Sequence, residues 1–174
     1  MRLVKGKVVL QIKFDGYQFP ELENVRWDSD WLNVRISLAL GDFRWEKVDP
    51  SLTTFEVQWL IDWMEEVAAN AEVFRSWRSE RLTSRIFFTE PNLGFEALSG
   101  SYEGAALTFR LYLAAESLPT FQDKLSGYDS SKDIQEVWLD LPVEASDLQD
   151  AAHSLQRQLA EFPVRVGLPP KLKE

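Results

Sequence analysis

GYQFPELENVRWDSDWLNVRISLAL, residues 16–40, is the stretch whose reading decides the fold. Its second half alternates strictly. Leu32, Val34, Ile36, Leu38 and Leu40 point one way, and Asn33, Arg35, Ser37 and Ala39 the other. A period of two marks a strand with one face on a core and one in water. Its first half turns at Asp15-Gly16, stops at Pro20, runs through an acidic segment and enters the strand through Trp27 and Trp31. Two large aromatics at that point fix how the loop packs.

Working outward, Val4 to Phe14 reads as a first strand, with Val8, Leu10, Ile12 and Phe14 on one face. Gly41-Asp42 turns the chain into a short third strand, Phe43 to Val48, which Asp49-Pro50 ends. Leu82 to Glu90, Leu93 to Ser99, Ala105 to Ala114 and Ile134 to Leu141 supply four more. Two helices carry capping signatures. Thr53-x-x-Glu56 opens one that stops near Asn70, with Phe55, Trp59, Trp63 and Val67 on its apolar stripe. Ser146-x-x-Gln149 opens the other, which Pro163 closes. Residues 116–131 read as a long loop. The expected fold is α+β: one antiparallel sheet of about six or seven strands with two helices on one face. Residues 1–163 form a single domain in this reading, and residues 164–174 a loosely held tail.

Composition narrows the function. The 174 residues are 45% hydrophobic and include seven tryptophans, which suits a packed core. There is no cysteine, so disulfide and thiol chemistry are excluded, and a reducing compartment fits. The N-terminus has no signal-peptide pattern, and no apolar run is long enough for a membrane span. The expectation is a cytosolic protein that does not engage membranes. A net charge of −9, from 19 basic and 28 acidic residues, argues against nucleic-acid binding and suits a basic protein partner.

Catalytic patterns are scarce. One histidine, His153, and no cysteine cannot furnish a zinc site. No nucleophile elbow, P-loop or dinucleotide glycine pattern occurs, so no cofactor is expected. Paired acids remain: Asp28 with Asp30, and Glu136 with Asp140 on one strand face around Trp138. Such pairs serve glycoside hydrolysis or hold Mg²⁺ only at the right separation, so a carboxylate-dependent hydrolase stands as a minor alternative. Acid distribution says more. Residues 116–150 hold nine acids and two bases, and residues 15–30 hold five acids against Arg26. The expected partner-binding residues are therefore Glu21, Glu23, Asp28 and Asp30 from one segment, with Asp123, Asp129, Asp133, Glu136, Trp138 and Asp140 from the other. That expectation requires the two segments to converge. An interaction or oligomeric scaffold module using exposed aromatics such as Trp138 is the other reading.

The order of GYQFP, WDSDWLNVRI, DPSLTTFEVQWLIDWMEE, FTEPNLGFE and DLQDAAHSLQRQLAEFP resembles the WapI-type immunity proteins over about residues 7 to 163. These are bacterial proteins encoded beside contact-delivered toxins. The resemblance rests on packing and turn motifs and brings no catalytic residues with it. It implies a binder of a cognate toxin domain, often a nuclease, that acts by occlusion without turnover.

Overall fold

The computed structural model describes residues 1–25, 27–77, 82–101, 104–131 and 135–166. In chain order the elements are β1 (Arg2–Lys5), β2 (Val8–Tyr17), β3 (Trp31–Leu40), β4 (Phe43–Thr53), α1 (Thr54–Ala69), α2 (Ala71–Ser76), β5 (Thr83–Phe87), β6 (Leu93–Leu98), β7 (Leu107–Ala114), β8 (Gly127–Asp129), β9 (Glu136–Val143) and α3 (Ala145–Leu159).

The alternating stretch is β3, and it lies inside a four-stranded sheet ordered β1-β2-β3-β4. Ile36 sits opposite Ile12 on one side and Lys47 on the other. Leu32, Val34, Ile36 and Leu38 are all buried, as the alternation requires. The remaining strands form a second sheet of five, ordered β5-β6-β7-β9-β8. All the strand pairings are antiparallel. The α+β class therefore stands, but as two sheets and three helices instead of one sheet and two helices.

The stretch 116–131, expected as a loop, includes β8, and three of the boundaries that differ from expectation do so for a local reason. The single strand Val4 to Phe14 is a hairpin, because Gly6 takes a positive φ of 55° and reverses the chain. β4 runs through Pro50 to Thr53. It is an edge strand, and Pro50 falls where the register shifts between Leu32 and Asn33, so its missing N–H breaks no regular ladder. β9 continues through Pro142 to Val143, and α3 starts at once from Glu144 as N-cap instead of Ser146. The Glu144 N–H donates to Asp147 Oδ2 at 2.8 Å.

α1 begins as read. Thr53 Oγ1 accepts the Glu56 N–H at 3.3 Å, and Glu56 Oε2 accepts the Thr53 N–H at 2.8 Å. The other Glu56 oxygen accepts the Thr89 N–H at 2.7 Å, which ties the start of α1 to the approach to β6. One core runs through both sheets and the helices, from Leu10, Ile36 and Leu38 through Leu60 and Met64 to Phe95, Phe109, Leu139 and Leu155. Each large side chain fully buried there contributes about 1.5–3 kcal/mol.

The free side of β2 beyond β1 is closed by a side chain. Met1 pairs with Ile12, and the next rung is taken by Gln158 of α3. Its Oε1 accepts the Phe14 N–H at 3.2 Å and its Nε2 donates to the Ile12 carbonyl at 3.4 Å.

Candidate functional site

The loop from Gln18 to Asp30 carries four of the expected contact residues, and its anchor is Asp30. This carboxylate has no exposed surface. It accepts the N–H of Arg165 at 2.7 Å, the N–H of Val166 at 3.2 Å and the Thr54 hydroxyl at 3.2 Å. The Arg165 guanidinium lies 4.3 Å from the Tyr17 ring centroid and donates to the carbonyls of Pro20 at 2.7 Å and Phe19 at 3.1 Å. Tyr17 donates its hydroxyl to the Pro163 carbonyl at 2.5 Å. Burial holds that phenol above its ordinary pKa, so it remains a donor at neutral pH. Val164 to Val166 are thus held against the loop, where a loose tail was expected; residues 167–174 lie outside the described residues.

Asp30 therefore ties the loop down and is not a surface contact. Glu21, Glu23 and Asp28 are exposed, and none has an ion pair to a described residue. Between them stands Trp27, 42% exposed, with φ 68° and ψ −48°. A bulky side chain in that region is strained by about 1–3 kcal/mol. The strain is held by the Asp30 N–H on the Trp27 carbonyl, the Val25 N–H on Ser29 Oγ, and an edge-on contact of the indole with Phe55 of α1.

Phe55 is itself buried at the start of α1, one turn before the outward stripe begins at Trp59. Val57, Leu60, Ile61, Met64 and Val67 face the core, which turns Trp59, Asp62 and Glu66 to solvent together. Trp59 is 49% exposed. Phe55, Trp63 and Val67 of the expected stripe are buried, and Trp59 is the exposed member of the four, on the side of α1 shared with Asp62 and Glu66. Its residue type suggested core. The acids three and seven positions later were the signal for the opposite face.

The second acidic segment begins near the other end of β4. Phe121 packs on Phe43 at 5.5 Å, at the start of β4, while Thr54 and Asp30 lie at its far end. The eleven residues of β4 span roughly 30 Å. Phe121 of the second segment and Asp30 of the first therefore lie at opposite ends of β4, whereas Glu136 pairs with Ala114, whose N–H donates to the Asn92 carbonyl beside Ser51. Asp123 is exposed and bonded to Lys124 at 2.6 Å, which lowers its pKa. Asp129 accepts the Ser131 N–H and hydroxyl, and sits opposite Glu136 across β8 and β9. Asp133 lies outside the described residues.

Trp138 and Asp140 belong to the outward face of the second sheet. Two rows cross it. Arg85, Glu96, Arg110 and Asp140 form one, alternating in charge; Phe87, Gly94, Tyr112, Trp138 and Gly127 form the other. Arg110 grips Asp140 through two hydrogen bonds of 2.6 and 2.8 Å. Its guanidinium lies 5.2 Å from the Trp138 ring, and Arg85 sits between Phe87 and Tyr112 at 4.4 and 4.6 Å. The Tyr112 hydroxyl donates to Glu96 at 2.5 Å, and burial ahead of this bond raises its pKa. Both glycines sit beneath rings: a Cβ at Gly127 would fall 2.1 Å from the Trp138 indole. Asp140 is therefore engaged inside the sheet face and separated in role from Glu136. No group of three or more potential metal ligands occurs among the described residues, and His153 is exposed on α3.

A family model described as the immunity protein WapI-like family matches residues 3–163 of the chain. No curated protein and no solved structure matches it.

Proposed function

The chain belongs to the WapI-like immunity protein family, and from that premise we propose that it binds and neutralises a cognate bacterial toxin domain by steric and electrostatic occlusion, without turnover. The observation that carries this reading is the row of exposed carboxylates Glu21, Glu23 and Asp28 on a loop held rigid by Arg165 and Asp30. Carboxylates in that state favour a cationic partner and speed its approach. A nuclease domain fits the reading, since it presents a basic surface to its nucleic acid. The site of action in this reading is the cytoplasm. Of the expected contact residues, Glu21, Glu23 and Asp28 form the proposed contact. Asp123, Asp129 and Glu136 lie on the other segment, and Asp30, Trp138 and Asp140 support the fold.

Co-expression with a candidate toxin domain, taken from any toxin gene found adjacent to this one, tests the proposal. Survival of the host, with a one-to-one complex recovered on purification, is the expected result. Lethality undiminished by this chain, or a toxin domain that passes over the immobilised protein without retention, would overturn it. The scaffold reading draws on the exposed ring of Phe87 on the second sheet. A single monomeric species at 100 μM in sedimentation would set that reading aside.

A further inference from the structure

We infer that the surface meeting the toxin is the outward stripe of α1 joined to the loop before β3, with Trp27 and Trp59 as its two anchors and a Lys- or Arg-rich protein surface as its occupant. This rests on the toxin-binding reading above and specifies where and with what chemistry that binding occurs.

Two independent features coincide at this place. The first is aromatic. Trp27 and Trp59 keep 42% and 49% of their surface in water, although both are large apolar side chains. Phe55 is buried, its ring meets Trp27 edge-on, and it stands one helical turn before Trp59, which sets both tryptophans at the start of α1. Tryptophan is the residue most enriched among side chains that dominate binding energy at interfaces. Trp27 is also fixed in place, through its hydrogen-bonded loop and left-handed backbone, so little freedom is lost when a partner arrives.

The second feature is charge. Asp62 and Glu66 follow Trp59 on the same stripe, Glu65 stands beside them, and Asp28 adjoins Trp27. Among the described residues, Asp62 accepts only the Gln58 amide, at 2.7 Å, and neither Glu65, Glu66 nor Asp28 is paired with a cation. Indole faces ringed by carboxylates suit an arginine or lysine, which gains both a cation–π contact and an ion pair. A second copy of this chain would set acids against acids. The second sheet's outward face lacks this character, because its charges are already paired along the Arg85, Glu96, Arg110 and Asp140 row.

The test uses the candidate toxin domain carrying an inactivating substitution. Its affinity is measured for the wild-type chain, Trp27→Ala, Trp59→Ala, the pair Asp62→Lys with Glu66→Lys, and Phe87→Ala as a control on the other face. Trp59→Ala and Trp27→Ala are each expected to weaken binding at least tenfold, mainly through faster dissociation. The lysine pair is expected to weaken it similarly and to flatten its dependence on salt. Phe87→Ala is expected to stay within twofold. Amide exchange on the wild-type complex, which needs no variant to fold, is expected to slow over residues 21–28 and 58–66. If the wild type binds but both tryptophan variants match it, or protection falls only on the second sheet, the inference is overturned while the toxin-binding reading stands. If the wild type does not bind the domain at all, both fall.

Discussion

Asp30 Oδ1 accepts the backbone N–H of Arg165 at 2.7 Å, joining parts of the chain 135 residues apart through a carboxylate with no exposed surface. Hydrogen bonds to a buried charge are among the stronger ones, and removing the acceptor strands its donors. Asp30→Ala is expected to destabilise the fold by about 3 kcal/mol. The urea midpoint should fall with an unchanged slope. Arg165→Ala is expected to lower global stability by only about 1 kcal/mol, because its side chain is only partly buried. It should still accelerate amide exchange over residues 17–30, since three carbonyls of that loop lose their donor.

Glu56 satisfies two amides from different parts of the fold, Thr53 at 2.8 Å and Thr89 at 2.7 Å. Glu56→Ala removes the cap and leaves both donors without acceptors, an expected loss of about 2–4 kcal/mol. Glu56→Gln keeps one acceptor and should lose about half as much, measured by calorimetry on the two variants in parallel.

Gly127 is required by its neighbour and not by its own backbone angle. A methyl group there collides with the Trp138 indole at 2.1 Å. Gly127→Ala is expected to destabilise by about 1–3 kcal/mol. In the double variant with Trp138→Ala the loss should be smaller than the sum of the two single losses, as a double-mutant cycle reports.

Much of this architecture was legible in the residues, and the misses have particular causes. The alternation from Leu32 to Leu40 and the Thr53 cap each encode a local requirement, and both appear as read. Alternation states which side chains share a face, but not which strands share a sheet. The division into four and five strands comes from pairings such as Leu107 with Val143, far apart in sequence. Gly6 was visible as a residue but carried no turn partner, so the hairpin passed as one strand. The acids were countable, yet their convergence depended on where β4 begins and ends. Its length holds Phe121 and Asp30 apart. Trp59 was misplaced because aromatic character alone does not say which side of a helix meets the core.

The Met1 amine gives the molecule a pH dependence of known sign. Burial first, then the charges of Arg157 and Lys13, lower its pKa to about 5 from the ordinary 8.0. Between those values the unfolded chain holds the extra proton, so stability rises with pH across that window and is lost as pH falls through it. The expected gain from pH 5.5 to 8 is on the order of 2 kcal/mol, with the amine's partial exposure discounted. Urea titrations at several pH values read the slope. Arg157→Met, which removes one of the two repelling charges, should make it shallower.

Gln158 lends its amide to β2 as though it were one more peptide unit, and this bears on the company the protein keeps. An extended segment from a stranger finds that rim already occupied and has no template to copy. At that rim recognition is left to side chains, which discriminate between partners, because the main chain there is already engaged.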